Sequence, residues 1–214
     1  MNNFSHEFKT PIVSINGFAD LLLDEGVSPD EQQEYLEIIR DESKRLSQLS
    51  NSVLLLNRVE SQTILTDKDE FPLDEQLRQS ILVTQQKWRT KQLRFDAQLS
   101  PCVYNGSESL LKEVWLNLLD NAAKFSPEFG MIGIVLREEP RNIIVSVTDH
   151  GCGMSAETCR HIFEQFYQGD TSHKTQGNGL GLSMARKIID LHGGIIAVDS
   201  QPGSGSCFTV TLVK

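Results

Sequence analysis

The stretch FSHEFKTP, Phe4 to Pro11, sets an imidazole, a carboxylate and a hydroxyl close together. His6 lies two positions from both Phe4 and Phe8, about 200° around a helix from each. A helix that buries the phenylalanines therefore turns His6 toward solvent. Glu7 is its neighbour, and Thr10 follows at i+4 on the same face. An exposed imidazole beside a carboxylate suits an activated nucleophile. Most lone histidines are bland, however, either solvated or hydrogen-bonded in a core.

The second half holds groups that could meet a nucleotide. NLLDNAAKF puts Asn117, Asn121 and Lys124 at i, i+4 and i+7, on one helix face. Amide oxygens ligate Mg²⁺ and a lysine meets phosphate; the bland alternative is a polar helix face. DHGCGM follows an apolar run, with Asp149 at its end and Gly151 and Gly153 beyond. A carboxylate at a strand end, beside glycines that let a ligand approach the backbone, suits a base amino group. GNGLGL brings Gly177, Gly179, Leu180 and Gly181 to the start of a helix, where backbone N–H groups could cradle phosphates. It is neither a P-loop nor a dinucleotide fingerprint.

The elements that must carry these groups differ between the two halves. Phe4, Phe8, Pro11, Ile15, Phe18 and Leu22 recur at alternating spacings of four and three, which predicts a helix bent or ended at Pro11. DEGVSPD then breaks the pattern, with Ser28 or Asp30 as a cap. Tyr35, Ile39, Leu46, Leu49, Val53 and Leu56 form the seam of a second helix, with Glu42 its one polar position. Two such helices bury too little alone, so the hairpin is expected to be half of a dimeric four-helix bundle. From Phe71 onward, EQLRQSILVTQQKW, SESLLKEVWLNLLDNAAKF and LSMARKIIDLHGG read as helices. RFDAQL, MIGIVLRE, NIIVSVTD, GIIAVDS and CFTVTLV read as strands. The expectation is an α+β chain: an antiparallel helical hairpin over residues 1–61, a hinge over 62–70, and an α/β sandwich over 71–214.

A net charge of −9 with no basic block argues against nucleic acid and anionic membrane as direct partners. No apolar run approaches the roughly 20 residues of a membrane-spanning helix. The four cysteines, Cys102, Cys152, Cys159 and Cys207, match neither zinc spacing nor a C-x-x-C pair, so a reduced, cytoplasmic chain is expected.

Taken in order, the short stretches resemble those of sensor histidine kinases. SHEFKTP is similar to the phosphoacceptor box, NLLDNAAKFS to the asparagine box, DHGCGM and GNGLGL to the two glycine boxes, IFEQFYQGD to the phenylalanine box, and GSGSCF to a final glycine turn. The resemblance implies an ATP-binding domain of the fold shared with type II topoisomerases, mismatch-repair ATPases and the ninety-kilodalton chaperone. It implies ATP-dependent phosphorylation of His6, with Glu7 taking or holding the ring proton, and transfer to an aspartate of a response regulator. Thr10 would serve the reverse dephosphorylation of that regulator. Asn121 would hold Mg²⁺, Asn117 and Lys124 would assist at the phosphates, and Asp149 would bind the adenine amino group. Gly151, Gly153, Gly177, Gly179, Leu180 and Gly181 would line the nucleotide site, with a lid over about Gln168 to Asn178. Many relatives carry a lid arginine where Gln168 or His173 stands here, so Lys174 or Arg160 would have to substitute. A nucleotide-gated dimerisation clamp without phosphotransfer is the alternative.

The regulator is expected against Val13, Ser14, Gly17, Phe18, Leu21 and Leu22. The two helices differ in length, at roughly 33 and 46 Å for 1.5 Å per residue. Relatives begin the first helix well before the histidine. The hairpin is therefore expected to be truncated at its N-terminus and the homodimer weakened. The reading leaves open a parent protein anchored in the membrane through segments missing from this chain.

Overall fold

The computed structural model describes residues 2–24, 26–62, 64, 65, 67–169 and 179–214, with residues 2–5 described by backbone alone. The chain divides into two compact units, residues 1–58 and 59–214.

The first unit is built by two helices, α1 (Asn2–Leu22) and α2 (Pro29–Ser61), the last turn of α2 falling to the second unit. Glu7 pairs with Arg45, and the ring of Phe18 lies 5.4 Å from that of Tyr35. Residue numbers thus rise on one helix as they fall on the other, which makes the hairpin antiparallel. Pro11 sits inside α1 and does not end it. The seam on both sides of the proline outweighs one missing N–H donor. Ser28 caps α2 in a reciprocal arrangement: its backbone N–H donates to Glu31 Oε2 at 2.9 Å, and the Glu31 N–H donates back to Ser28 Oγ at 3.3 Å. The Ser28 hydroxyl, which donates to Glu31 Oε2 at 2.7 Å, and then the Ser28 backbone N–H hold the Glu31 carboxyl below its ordinary range. Leu54 is exposed, while Leu56 and Val59 are buried.

The second unit is a five-stranded mixed sheet with helices packed on it. Its elements are β1 (Asp69–Pro72), α3 (Leu73–Lys87), β2 (Arg94–Leu99), β3 (Val103–Gly106), α4 (Glu108–Phe125), β4 (Met131–Glu138), β5 (Asn142–Asp149), α5 (Ala156–His161), α6 (Gly181–Leu191), β6 (Ile195–Gln201) and β7 (Gly205–Val213). The sheet order is β2-β4-β5-β7-β6, antiparallel except for β2 and β4, between which α4 forms the crossover. All five strands read from the sequence are present. The short antiparallel pair β1–β3 is an addition. Its four-residue strands carry proline, asparagine and glycine, so no local pattern announces them.

Period-two alternation builds the core. Ile132, Ile134 and Leu136 of β4, Ile143, Val145 and Val147 of β5, and Phe208, Val210 and Leu212 of β7 are buried. Helix α4 packs between α3 and α6 and against β5. Its buried face includes Leu111, Val114, Trp115, Leu118 and Leu119, all without exposure. Among the described residues no helix is long and apolar enough to cross a membrane, and the four cysteines are free thiols.

Candidate functional site

Asp149 continues the inward alternation of β5 after Val145 and Val147, so the pleat that builds the core also buries a carboxylate at the strand's end. It is 4% exposed, and its Oδ1 accepts the Gly151 N–H at 2.8 Å. Burial pushes its carboxyl up; the backbone N–H groups of Gly151 and Ser206 pull in the other direction.

Asp149 lines a cavity of about 210 Å³ together with Asn117, Asp120, Asn121 and Lys124 of α4. Helix and strand thus bring to one place residues that the sequence separates by 25–32 positions. Gly153, Gly179 and Gly181 also line it. Gly151 is buried beside it, where a Cβ would come within 2.4 Å of the Phe125 carbonyl oxygen. A Cβ on Gly181 would meet Asn117 Oδ1 at 2.5 Å. At both places the backbone approaches α4 more closely than a side chain allows. The Asn117 amide donates to Glu113 O at 2.9 Å, which fixes the side chain along its own helix. Burial holds the Lys124 ammonium below its ordinary range, against the opposing pull of Asp120.

Leu180 is fully buried at the start of α6, a core position rather than a cavity wall. Gly177, His173, Lys174 and most of the expected lid, 170–178, lie outside the described residues. The cavity's apolar wall, with Met154, Ile162, Tyr167 and Phe208, was not singled out from the sequence. Ile162 and Tyr167 belong to IFEQFYQGD, whose aromatic and aliphatic content was the available signal. Cys152 lines the cavity as well, while Trp115 and His192 are buried in the core.

The donor set fits a nucleotide with its metal. A buried carboxylate faces the same cavity as two amides and an ammonium. Among the described residues no group of three or more His, Cys, Asp or Glu could hold a metal by itself. A Mg²⁺ ion at Asn121 would therefore complete its coordination with phosphate oxygens and water, its usual habit.

In the first unit His6 is exposed and Glu7 half-buried. Arg45 Nη2 donates to Glu7 Oε2 at 3.3 Å, and its Nη1 lies 3.8 Å from Glu42 Oε2. The Thr10 hydroxyl donates to the His6 carbonyl at 3.1 Å. The sequence reading placed His6, Glu7 and Thr10 together but missed Arg45, whose partner lies 38 positions away.

Two family models match the chain. Residues 1–62 match the His Kinase A (phospho-acceptor) domain. Residues 106–214 match the histidine kinase-, DNA gyrase B- and HSP90-like ATPase. The chain belongs to the sensor histidine kinases. Its relatives include the heme sensor protein HssS of Staphylococcus saprophyticus, 36% identical over 214 residues, which cover all of this chain and 46% of HssS. Among solved structures, the complex of histidine kinase ThkA with response regulator protein TrrA superposes with a TM-score of 0.79 at 27% identity, over 98% of this chain and 59% of that one. Full-length ShkA in complex with AMPPNP gives 0.74 at 26% identity, over 97% and 44%. The chain thus spans less than two thirds of each. In this sensor histidine kinase the phosphoacceptor box falls on α1, the asparagine box on α4, and the first glycine box runs from the last residue of β5 into the loop after it.

Proposed function

We propose that this chain is the cytoplasmic kinase core of its parent protein, that it phosphorylates itself on His6 from ATP, and that it passes the phosphoryl group to an aspartate of a response regulator. One observation carries the reading: a single cavity gathers the buried Asp149 with Asn117, Asn121 and Lys124, in a chain whose phosphoacceptor domain keeps His6 in solvent. Asp149 accepts the adenine amino group, and Lys124 meets the phosphates. Mg²⁺ at Asn121, when bound, neutralises phosphate charge. A ring nitrogen of His6 forms a bond to the γ-phosphorus, the bond to the bridging oxygen breaks, ADP leaves, and the ring proton passes to Glu7. The AMPPNP complex of ShkA supports the nucleotide assignment, and the ThkA–TrrA complex supports the partner. Residues 1–61 serve as the phosphotransfer hairpin of a homodimer, 62–70 as the linker and 71–214 as the catalytic domain.

Incubation with γ-labelled ATP tests this. Label should appear on the chain, be acid-labile and alkali-stable as a phosphoramidate is, and vanish in His6→Gln, while nucleotide affinity stays that of the parent. Acid-stable label, or label in the variant, sinks the assignment. ATP-dependent closure with no label at all would favour a nucleotide-gated clamp.

Regulator phosphatase activity is a second reading, favoured by the Thr10 hydroxyl one turn from His6 on an exposed face. Thr10→Ala should then slow dephosphorylation of the regulator and spare autophosphorylation. A parallel fall of both rates would make Thr10 a structural residue.

A further inference from the structure

The C-terminal end of α4 is where the two ends of the cavity meet. Lys124 lines the cavity from this turn. The Phe125 carbonyl lies against Gly151, in the loop that holds Asp149. A helix leaves its last four carbonyls without intrahelical partners. Here Ala122 O takes the Ser126 N–H at 3.0 Å. Two more are gathered by a residue from outside the helix: the Lys91 ammonium donates to Ala123 O at 3.0 Å and Lys124 O at 2.7 Å, and also to the carbonyl of the cap residue Ser126 at 2.9 Å. An ammonium has three donors, and all three are used. Its charge also suits the negative end of the helix dipole.

Lys91 comes from the 3-10 turn Arg89–Lys91 that follows α3. Its own carbonyl accepts the Phe129 N–H at 2.9 Å, which ties the loop after α4 to the same residue. The ammonium lies 5.1 Å from the ring of Trp88, and the Trp88 indole N–H donates to Asp120 Oδ1 at 2.7 Å. Asp120 is one turn before Lys124 and lines the cavity. Trp88, just before this turn, and Lys91, at its end, therefore grip the last turns of α4.

We propose that Lys91 is a positioning residue of the nucleotide site. By capping α4 it sets the place of Lys124 and of the Phe125 carbonyl on which the Gly151 loop rests, and so fixes the phosphate end of the cavity relative to the Asp149 end. The inference rests on the reading of the cavity as an ATP site.

The test measures AMPPNP affinity by calorimetry on the whole chain, alongside the kinetics of labelling His6. Lys91→Met keeps the aliphatic reach and removes the three donors. Its Kd should rise about tenfold or more, the KM for ATP should rise in parallel, and kcat at saturating ATP should stay within about threefold, because the nucleophile belongs to the other unit. Lys91→Arg, which keeps a cation with several donors, should bind within about threefold of the parent. Lys112→Met, at an exposed lysine of the same helix, should bind as the parent does. A purely structural role would lower melting temperature without this split between KM and kcat. A folded Lys91→Met that binds AMPPNP as the parent does overturns the inference. If that variant does not fold, Lys91→Gln makes the same comparison, and unchanged affinity there overturns it equally. Failure of the parent chain itself to bind AMPPNP would sink the nucleotide reading instead.

Discussion

At the scale of single residues, Asp149 is a carboxylate whose charge the fold resists and the ligand wants. Burial raises its pKa above the unfolded value. The folded chain therefore holds that proton more tightly than the unfolded chain does. The stability this gives is complete below the unfolded pKa and is lost as pH rises through the folded one. Above the folded pKa the ionised group is a burden on the free protein. Asp149→Asn keeps an acceptor for the Gly151 N–H and removes the charge. It should leave thermal stability at pH 7 equal or higher. It should weaken ATP by about tenfold to a hundredfold, the worth of a charge-assisted hydrogen bond at roughly 1.5–3 kcal/mol. Asp190→Asn, outside the cavity, should do neither; calorimetry on the three proteins decides it. In the hairpin, Arg45 separates the carboxylates of Glu7 and Glu42. Part-exposed ion pairs contribute about 1 kcal/mol or less, so Arg45→Met should cost little stability. Left without the guanidinium, Glu7 loses its ion pair across the hairpin. The rate of His6 labelling should fall by about tenfold or more, with the KM for ATP unchanged. Wild-type labelling in Arg45→Met would show that Glu7 needs no such support.

Among elements, α6 is joined to α4 by a histidine. His192 at the end of α6 is buried, its Nδ1 donates to Ile188 O at 2.7 Å, and its Nε2 accepts the Ser107 N–H at 3.1 Å, where α4 begins. Only the neutral ring can do both. Tyr104 lies 6.2 Å away ring to ring, and the field of Lys68 opposes protonation. Burial is the main cause that lowers the His192 pKa; the Ile188 carbonyl opposes it. The unfolded chain then binds the proton first as pH falls. Stability is complete above the unfolded histidine pKa, near 6.5, and declines below it, by at most about 1.4 kcal/mol per pH unit until the folded ring also protonates. Urea unfolding between pH 7.5 and 5.5 should show this decline, and His192→Gln should flatten it. An identical slope in the variant would assign the decline to other groups. The cap of α2 is local by contrast. Ser28→Ala should cost about 1 kcal/mol, the usual worth of an N-cap side chain, and Ser28→Gly less. Equal losses in the two would mean that the Glu31 half of the box is what matters.

For the whole molecule, the division at residue 58 separates the nucleophile from the cavity. Residues 59–214 expressed alone should bind AMPPNP as the full chain does and take no label from ATP. Nucleotide at a hundred times its Kd should stabilise that unit by about 2.7 kcal/mol. Weaker binding by the isolated unit would give the hairpin a share in the site.

The amino-acid sequence by itself determined the hairpin, the five strands of the main sheet, and the order of the short boxes. Each is written in neighbouring residues: a spacing of three and four along α1 and α2, alternation along β4, β5 and β7, glycines at tight approaches. It determined that His6 faces solvent, because helical geometry needs only Phe4 and Phe8 to say so. Tertiary structure decided what depends on distant partners. Asp149 is buried because β5 is a central strand covered by α4, which no pattern in DHGCGM reveals. Arg45 became the partner of Glu7, and Lys91 the cap of α4, across 30 or more positions. The β1–β3 pair formed from two segments too short to stand alone. Short-range periodicity is a property of one segment and its solvent, so it can be read in isolation. A buried charge, a cap borrowed from another element or a four-residue strand exists only once the surrounding surfaces have packed and removed the water that would otherwise satisfy it.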